Sequence, residues 1–424
     1  MKKLPIGIQT FSKIREEDYL YIDKTKDALE LINSYNYAFL SRPRRFGKSL
    51  FVSTLKELFE GNKKLFEGLY VYDKWDWEDK YPVIKISFSG DMRSPEGLKR
   101  NILQILKHNQ RRLQVKCDNI NDYDTCFDDL IFNVYEKYNK RVVILIDEYD
   151  KAILDNLDQI EVAKQNREIL RAFYGIMKES DKYIKFVFIT GVSKFAKANI
   201  FSGLNNLEDI TLRPKFGTIC GYTQNDIETT ILPYLDGVDL RELKAWYNGY
   251  NFLNDKVYNP FDILLFIKND FRFKNYWFKT GTPSFLVKLF REGDYNLATF
   301  EYLTVGEELL ESFDIENITF ETIMFQSGYL TIKDIEEVGD NTFYHLSFPN
   351  IEVKKSFNDY VLSNHFVNRS KKVAVQIALY KLLAKSDLDG LKQVLKSLFA
   401  SIAYNNFTNN YITISKTMRG SMQV

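Results

Sequence analysis

The chain has 424 residues, and 58 Lys or Arg against 57 Asp or Glu give it a formal net charge of +1. At roughly 150 residues per domain this length predicts two or three domains. A composition of 45% hydrophobic and 27% charged residues excludes a mainly disordered chain. The balanced charge excludes a protein that coats nucleic acid by charge alone, although a local basic face stays open.

The cysteines and the start of the chain indicate the compartment. Cys117, Cys126 and Cys220 show no CxxC spacing, and their odd number predicts buried thiols in a reducing cytosol rather than a disulfide framework. The first residues lack the apolar run of a signal peptide, and no window approaches the roughly 18 apolar residues of a membrane span. The histidines are scattered, which argues against metal catalysis through histidine. We expect a cytoplasmic protein with no membrane partner.

The first 220 residues alternate apolar strand-like runs with helical patterns, which is typical of a parallel sheet covered by helices on both faces. The predicted strands are Tyr37 to Ser41, Val83 to Phe88, Val142 to Asp147, Lys185 to Thr190 and Asp209 to Leu212. Apolar residues recur at helical spacing after Ser49 and again near Glu161 to Glu179, so both stretches are predicted helices. This part of the chain is therefore predicted to have an α/β fold.

Strand-like runs become rare after about residue 221. Residues 224–312 are predicted to be mostly helices and turns, because Asn248-Gly249 and Asn259-Pro260 are strong breakers. A predicted helix from Phe320 to Ser327 is followed by short alternating runs at 329–332 and 342–348, a pattern that resembles a winged helix. Residues 372–400 are predicted to form a helical hairpin.

The turn between the first predicted strand and its helix carries the strongest functional signal. Its residues, from Ser41 to Ser49, are Ser-Arg-Pro-Arg-Arg-Phe-Gly-Lys-Ser. In a strand–loop–helix arrangement, backbone N–H groups and a helix N-terminus converge on phosphates. Lys48 would add a cation near the β and γ phosphates, and the Ser49 hydroxyl would ligate Mg²⁺. The common pattern is GxxxxGK[ST]; here Arg42 stands in place of its first glycine, and a basic turn that merely caps a helix is the alternative.

Two acids end the predicted strand Val142 to Asp147. A carboxylate at the carboxyl end of a parallel strand lies beside the phosphate crevice. Asp147 is therefore placed to hold Mg²⁺, and Glu148 to orient or deprotonate an attacking water. The apolar strand before this pair distinguishes it from an ordinary surface pair of acids.

The remaining strands refine the fold class. The strand Val83 to Phe88 falls between the two motifs in sequence, and we expect it to be inserted between their strands in the sheet. With Glu148, this predicts the additional-strand, catalytic-glutamate class of P-loop NTPases. Thr190 and Ser193, at the end of another predicted strand, are candidates for a γ-phosphate sensor, although capping of a turn explains them equally well.

Several ordered motifs resemble those of the AAA-ATPase-like family of bacterial proteins, whose members commonly carry a C-terminal PD-(D/E)XK-type nuclease domain. The matching segments span about residues 4 to 405 and are Tyr21-Ile22-Asp23-Lys24-Thr25, Arg42 to Ser49, Ile146-Asp147-Glu148-Tyr149-Asp150, Gly191-Val192-Ser193-Lys194, Asn199 to Asn206, Trp246-Tyr247-Asn248-Gly249-Tyr250, Tyr258-Asn259-Pro260 and Phe348-Pro349-Asn350.

This resemblance implies ATP binding, with Arg42 as the usual residue at its position, and a contribution of residues 19–25 to enclosing the nucleotide. The predicted nucleotide contacts are Tyr21, Asp23, Arg42, Pro43, Arg44, Arg45, Phe46, Gly47, Lys48, Ser49, Leu50 and Ser193. For Arg44 and Arg45, a role as solvated loop arginines is an equally good explanation. The predicted catalytic residues are Lys48, Asp147 and Glu148, with Ser49 and Asp147 as metal ligands. Arg213 is a further candidate for a γ-phosphate or inter-subunit arginine, without support from any matched motif.

The expected domains are a P-loop ATPase domain at 1–223, a helical segment at 224–312, a winged-helix-like module at 313–370, and a hairpin with the start of a nuclease region at 371–424. Such a nuclease needs clustered carboxylates to hold Mg²⁺, yet the 17 residues after Phe407 contain no Asp or Glu. We therefore expect no nuclease activity, and a truncated product or a member without its effector.

Two functions remain open at this stage. The chain is either an ATPase that uses turnover to move its C-terminal modules, or a nucleotide switch without turnover that recognises DNA or protein. An acidic stretch at 299–340 makes a protein partner as plausible as DNA, and a homo-oligomer stays open.

Overall fold

The computed structural model describes residues 1–119, 121–195, 200–278, 300–311, 315–316, 319–365, 369–400, 407–408 and 411–412. Elements of the first half are α1 (Phe11–Glu16), α2 (Thr25–Ser34), β1 (Tyr37–Ser41), α3 (Lys48–Phe59), β2 (Val83–Ser87), α4 (Pro95–Leu113), α5 (Tyr123–Tyr138), β3 (Val142–Asp147), α6 (Lys151–Leu154), α7 (Ile160–Glu179), β4 (Ile184–Gly191) and β5 (Glu208–Asp209).

Elements of the second half are α8 (Gln224–Asp226), α9 (Leu240–Tyr247), α10 (Pro260–Lys268), β6 (Leu303–Gly306), α11 (Glu307–Glu311), α12 (Phe320–Gln326), β7 (Thr331–Val338), β8 (Asn341–Ser347), α13 (Ile351–His365), α14 (Arg369–Ala384), α15 (Leu388–Ala400), β9 (Phe407–Thr408) and β10 (Tyr411–Ile412). In the part of the chain that the structure describes, no helix is long and apolar enough to cross a membrane.

A parallel sheet with strand order β2-β3-β4-β1-β5 forms the centre of the first half. Every residue of β1 and β3 is buried, because these apolar strands are covered on both faces, as expected for a parallel sheet between helices. The α/β prediction is confirmed. The strand between β1 and β3 is β4, however, whereas β2 lies at the edge beside β3. The expectation that Val83 to Phe88 would be the inserted strand was wrong, because sequence order does not fix the order of strands linked by crossovers.

The fifth strand is shorter than predicted. Only Glu208 and Asp209 pair with β1, through Ala38 and Phe39. The Asp209 side chain then accepts a hydrogen bond from the Thr211 N–H at 2.9 Å and turns the chain away from the sheet. The predicted strand Asp209 to Leu212 is therefore cut off by a turn that an Asp–x–Thr segment favours.

A second sheet, antiparallel and ordered β6-β8-β7, forms in the second half. The helix α12 matches the predicted helix, and β8 matches the predicted run at 342–348. The strand β7 overlaps the predicted run at 329–332 only at its first two residues and continues to Val338, because its outer part is exposed and lacks an apolar pattern. The strand β6 was missed inside a region predicted to be helices and turns, because four residues are too short for a clear alternating pattern. The helices α14 and α15 pack together where a helical hairpin was predicted. Residues 403–406 and 413–424, where the nuclease region was expected to start and end, lie outside the described residues.

The cysteines also differ from expectation. Cys117 and Cys126 form a disulfide, and Cys220 is a buried free thiol. The loop after α4 folds back onto the first turn of α5, which brings two cysteines nine residues apart together. The prediction of three free thiols was therefore wrong for Cys117 and Cys126, because the spacing of cysteines along the chain does not show which of them meet in the fold.

Candidate functional site

The loop between β1 and α3 forms a tight cradle at the start of the helix. Gly47 precedes α3 with φ of 96°, and Arg45 has φ of 70°, so two residues of the loop adopt left-handed backbone conformations. A glycine tolerates such a φ, whereas a side chain makes it costly. These turns reverse the chain within six residues and leave the N-terminus of α3 facing a cavity of about 380 Å³.

The cavity brings the two sequence motifs together. Seven of the residues that line it were predicted as site residues: Arg44, Arg45, Gly47, Lys48, Ser49 and Leu50 from the loop and helix, and Glu148 from the end of β3. Further walls come from the N-terminal segment 5–9, from residues 150–154, and from α10. Lys48 and Glu148, predicted from separate stretches of sequence, therefore face one space.

Lys48 is buried, and its Nζ donates to the carbonyl oxygens of Arg42 at 2.8 Å and Pro43 at 2.9 Å. Burial lowers the pKa of Lys48, while the nearby Asp147 carboxylate opposes that shift. The lysine thus stabilises the loop through backbone carbonyls, and its cation is beside the cavity where an anionic phosphate would be favoured.

Glu148 is exposed to the cavity in a left-handed conformation with φ of 55°. Partial burial, followed by the neighbouring Asp147 carboxylate, raises the pKa of Glu148. A strained, non-glycine backbone at the carboxyl end of a central strand is typical of functional positions. A carboxylate with a raised pKa is better able to accept a proton near neutral pH.

Asp147 lies just behind the cavity wall and is not part of its lining. Its side chain is 3% exposed, and its Oδ1 has no hydrogen-bond partner among the residues that the structure describes. A buried carboxylate oxygen without a donor is costly unless a cation or water satisfies it. This donor set fits Mg²⁺, which commonly uses few protein ligands together with waters and substrate phosphates. The described residues contain no cluster of three or more metal-ligating side chains.

Arg42 is buried inside the protein and does not line the cavity. Its guanidinium donates to the carbonyl oxygens of Ser41, Thr211 and Phe216 at 2.8 to 3.0 Å and stacks on the Phe252 ring at 3.9 Å. Burial lowers its pKa to about 10, so the group stays charged at neutral pH. The side chain that replaces the first loop glycine thus anchors the loop to the segment after β5.

Pro43 and Phe46 do not line this cavity, although Phe46 lines a smaller cavity beside it. A Cβ built on Gly328 would be 2.8 Å from the Pro43 side chain, and the Phe46 ring meets Tyr250 edge-on at 4.7 Å. The loop residues predicted as nucleotide contacts therefore divide into those that line the cavity and those that pack against the second half of the chain.

The sensor candidates are used within the protein. The Ser193 hydroxyl donates to Asp150 Oδ2 at 2.5 Å, and the Thr190 hydroxyl donates to the Leu40 carbonyl at 2.8 Å. Neither lines the cavity. Arg213 is exposed and paired with Glu208 at 2.5 Å.

Asp150 is a site residue whose role was not predicted from the sequence. Its Oδ2 also accepts the N–H groups of Val192 and Ser193 at 2.9 and 2.6 Å, so it fixes the end of β4 beside the cavity. Burial raises its pKa, against these hydrogen bonds. Its position in the Ile146 to Asp150 motif was the available signal.

Tyr21 lines a smaller, mostly apolar cavity of about 60 Å³ that shares five lining residues with the larger one: Pro5, Gly47, Leu50, Tyr222 and Pro260. The Asp23 carboxylate instead accepts the N–H groups of Thr25 and Tyr70 at 2.8 and 2.7 Å and fixes the start of α2. Of the two predicted contacts in this segment, the structure places only Tyr21 against this space.

Comparison with known proteins gives a consistent result. The sequence profile of a family described as Predicted AAA-ATPase matches residues 5–201. A protein from Azotobacter chroococcum mcd 1, named "Uncharacterized protein in vnfD 5'region", is 45% identical over 414 residues, covering 97% of this chain and 80% of that protein. No solved structure matches the chain significantly. With the loop, the acids and the parallel sheet in place, this similarity shows that the chain belongs to the predicted AAA-ATPase family.

Proposed function

We propose that the chain binds ATP in the cavity at the start of α3 and hydrolyses it with Mg²⁺. The observation that carries this proposal is the meeting of Lys48, Ser49 and Glu148 around one cavity, at the carboxyl ends of β1 and β3. Anionic phosphates would be held by the loop N–H groups, the N-terminus of α3 and the cations of Arg44, Arg45 and Lys48. The smaller cavity beside Tyr21 and Tyr222 suits the apolar faces of the base.

In this proposal Glu148 takes a proton from the water that attacks the γ-phosphorus, and the bond from that phosphorus to the β–γ bridging oxygen breaks. Asp147 and Ser49 would hold Mg²⁺, which neutralises charge on the β and γ phosphates when bound. Asp150 keeps the end of β4 and residue Val192 at the cavity wall. The strand order β2-β3-β4-β1-β5 supports the additional-strand, catalytic-glutamate class.

A nucleotide switch without turnover is the second candidate. It is favoured by the position of Asp147, because this proposed metal ligand does not line the cavity in which hydrolysis would occur. Phosphate release by the wild type and by Glu148→Gln separates the two functions. We expect release by the wild type to be at least about 100-fold faster, as for loss of a general base. Equal background rates in both proteins would exclude hydrolysis, while binding of labelled ATP that Lys48→Ala loses would retain the switch.

We propose a protein partner for the module formed by α12 and the second sheet, which resembles a winged helix. The outer part of β7 and the following turn expose Glu336, Glu337 and Asp340. These charges would repel the phosphates that dominate DNA binding. A salt-sensitive mobility shift of duplex DNA that requires this module would contradict the proposal and favour the DNA-binding alternative.

A further inference from the structure

The side of the phosphate loop that faces away from the cavity is covered by the second half of the chain. Tyr250 packs edge-on against Phe46, and Gly328 lies against Pro43. Between these contacts, the Trp277 indole Nε1 donates a hydrogen bond to the Arg44 carbonyl oxygen at 3.1 Å. Three segments that are distant in sequence therefore contact the loop from behind.

Trp277 is itself fixed from two directions. Its side chain is fully buried, with the Tyr329 and Tyr250 rings at 5.1 and 6.4 Å. Its backbone N–H donates to Glu352 Oε1 at 2.9 Å. Glu352 is fully buried in the first turn of α13, so a carboxyl group in one element fixes the residue that contacts the loop in another.

Glu352 also lies beside a second buried acid, Asp262 in the first turn of α10. The two carboxyl groups are close enough to hydrogen-bond to each other through a shared proton, and no hydroxyl or side-chain N–H of the described residues donates to the Asp262 oxygens or to Glu352 Oε2. Two carboxyl groups so placed in a low dielectric do not both ionise, and the pair retains a proton. Asp262 also connects the pair to the proposed nucleotide site, because Pro260, Phe261 and Leu264 of the same helix, α10, line the cavity.

The orientation of the loop peptide gives the Trp277 contact a consequence for binding. The chain has no cis peptide bond among the described residues, so the Arg45 N–H points opposite to the Arg44 carbonyl. With that carbonyl held by Trp277, the N–H is directed away from Trp277, and Arg44 and Arg45, the two residues joined by this peptide, line the cavity. Rotation of this peptide would replace a donor with a carbonyl oxygen that repels phosphate.

We propose that Trp277 is a positioning residue for the phosphate-binding loop, and that Glu352, together with Asp262, holds Trp277 in place. This rests on the proposed nucleotide site. The second half of the chain is thereby a fixed part of that site, and changes at the loop reach α10 and α13 through Trp277.

The test compares two substitutions of the same type. Trp277→Phe keeps an aromatic ring but loses the N–H donor, and Trp246→Phe is its control, because Trp246 stacks on Phe273 at 5.3 Å among the helices after residue 240. Equilibrium dialysis with a labelled, non-hydrolysable ATP analogue and Mg²⁺ measures the Kd. Loss of one hydrogen bond predicts binding about fivefold weaker for Trp277→Phe, and an unchanged Kd for the control.

Two further readouts keep the test independent of folding. The analogue should change the indole emission of the wild type and of Trp246→Phe, and this change should vanish in Trp277→Phe. Glu352→Gln keeps an oxygen that can accept the Trp277 N–H and should bind like the wild type. Glu352→Leu loses that acceptor and should match Trp277→Phe, with no additive loss in the double variant.

The outcomes separate the two proposals. A wild type that binds no analogue overturns the nucleotide site and this inference with it. A wild type that binds, with an unchanged Kd and an unchanged emission response in a folded Trp277→Phe protein, overturns only the role of Trp277. If Trp277→Phe does not fold, an absence of any emission change in the wild type and Trp246→Phe on binding overturns it.

Discussion

At the scale of single residues, Arg42 shows how one side chain can anchor the loop between β1 and α3. Its three carbonyl acceptors belong to two separate segments, because Ser41 ends β1 whereas Thr211 and Phe216 follow β5. Removing the guanidinium takes a charged donor from three carbonyl oxygens, of which that of Phe216 still accepts the Ile219 N–H, and a buried carbonyl left without a donor costs more than the bond itself gains. Arg42 therefore anchors the loop, and substitutions of it should lower the stability of the fold more than they disturb contacts with a nucleotide.

The Arg42→Met variant tests this anchor. We expect it to lower the free energy of unfolding by about 3 kcal/mol, since charged hydrogen bonds are among the stronger ones. Urea unfolding followed by circular dichroism measures the change. The control is Arg213→Met, whose exposed ion pair with Glu208 should contribute less than about 1 kcal/mol. Similar losses in both variants would contradict the anchor.

Glu148 gives a prediction about pH. Burial and the Asp147 charge raise its pKa above the ordinary 4.5, and a general base acts only when ionised. Turnover should therefore increase as pH rises through a value above 4.5. A pH profile of kcat/KM checks this. An acidic limb at or below 4.5, or one that persists in the residual activity of Glu148→Gln, would argue against Glu148 as the base.

At the scale of elements, the contact between α12 and the loop depends on Gly328. This residue ends the turn after α12 with φ of 90°, and an added Cβ would be 2.8 Å from Pro43. Gly339 has a similar φ of 62° in the β7–β8 turn, but nothing lies within 4 Å of its Cβ position. A comparison of substitutions at the two glycines therefore separates the cost of a left-handed backbone, which both share, from the steric contact with Pro43, which only Gly328 has.

Gly328→Ala should weaken nucleotide binding and lower the melting temperature more than Gly339→Ala does. Both variants have the strain of a left-handed alanine, about 1 to 2 kcal/mol, but only the first displaces Pro43. Thermal melts and dialysis with the ATP analogue measure both effects. If the two variants behave alike, the second half of the chain does not support the loop through this contact.

The elements also show how far sequence reasoning reaches. The strand β3 and the helix α7 were predicted nearly to the residue, because long apolar periods report local structure directly. The position of β4 between β1 and β3 was not predicted, because the residues of a strand do not indicate which strand pairs with it. Lys48 and Glu148, taken from separate motifs, line one cavity, whereas Arg42, Asp23 and Ser193, also predicted as contacts, form their hydrogen bonds elsewhere. The type of a residue predicts which ligands it can bind, whereas the direction of its side chain in the fold determines whether it faces the cavity.

At the scale of the whole molecule, the buried acids Asp262 and Glu352 join the wall of the cavity to α13. Burial raises the pKa of both, to about 7 for Glu352, whereas an unfolded glutamate has a pKa near 4.5. The folded chain therefore binds more protons than the unfolded chain between these values, and this contribution to stability falls as pH rises from about 4.5 to 7. The tyrosines around the pair, Tyr247, Tyr250 and Tyr276, have raised pKa values and stay neutral in this range.

Urea unfolding of the wild type and Glu352→Gln at several pH values checks this sign. The difference in unfolding free energy between the two proteins isolates the titration of Glu352 from that of groups which both proteins contain. We expect the wild type to lose stability relative to Glu352→Gln as pH rises from 5 to 8. A constant difference would mean that Glu352 does not take up a proton on folding.

The most direct test of the account is a crystal structure of the protein with Mg²⁺ and a non-hydrolysable ATP analogue. We expect the triphosphate at the start of α3, in contact with Lys48 and Ser49, with Glu148 facing the γ-phosphate and the base beside Tyr21. A triphosphate bound elsewhere, or one whose γ-phosphate is remote from Glu148, would contradict the proposed ATP hydrolysis at this site.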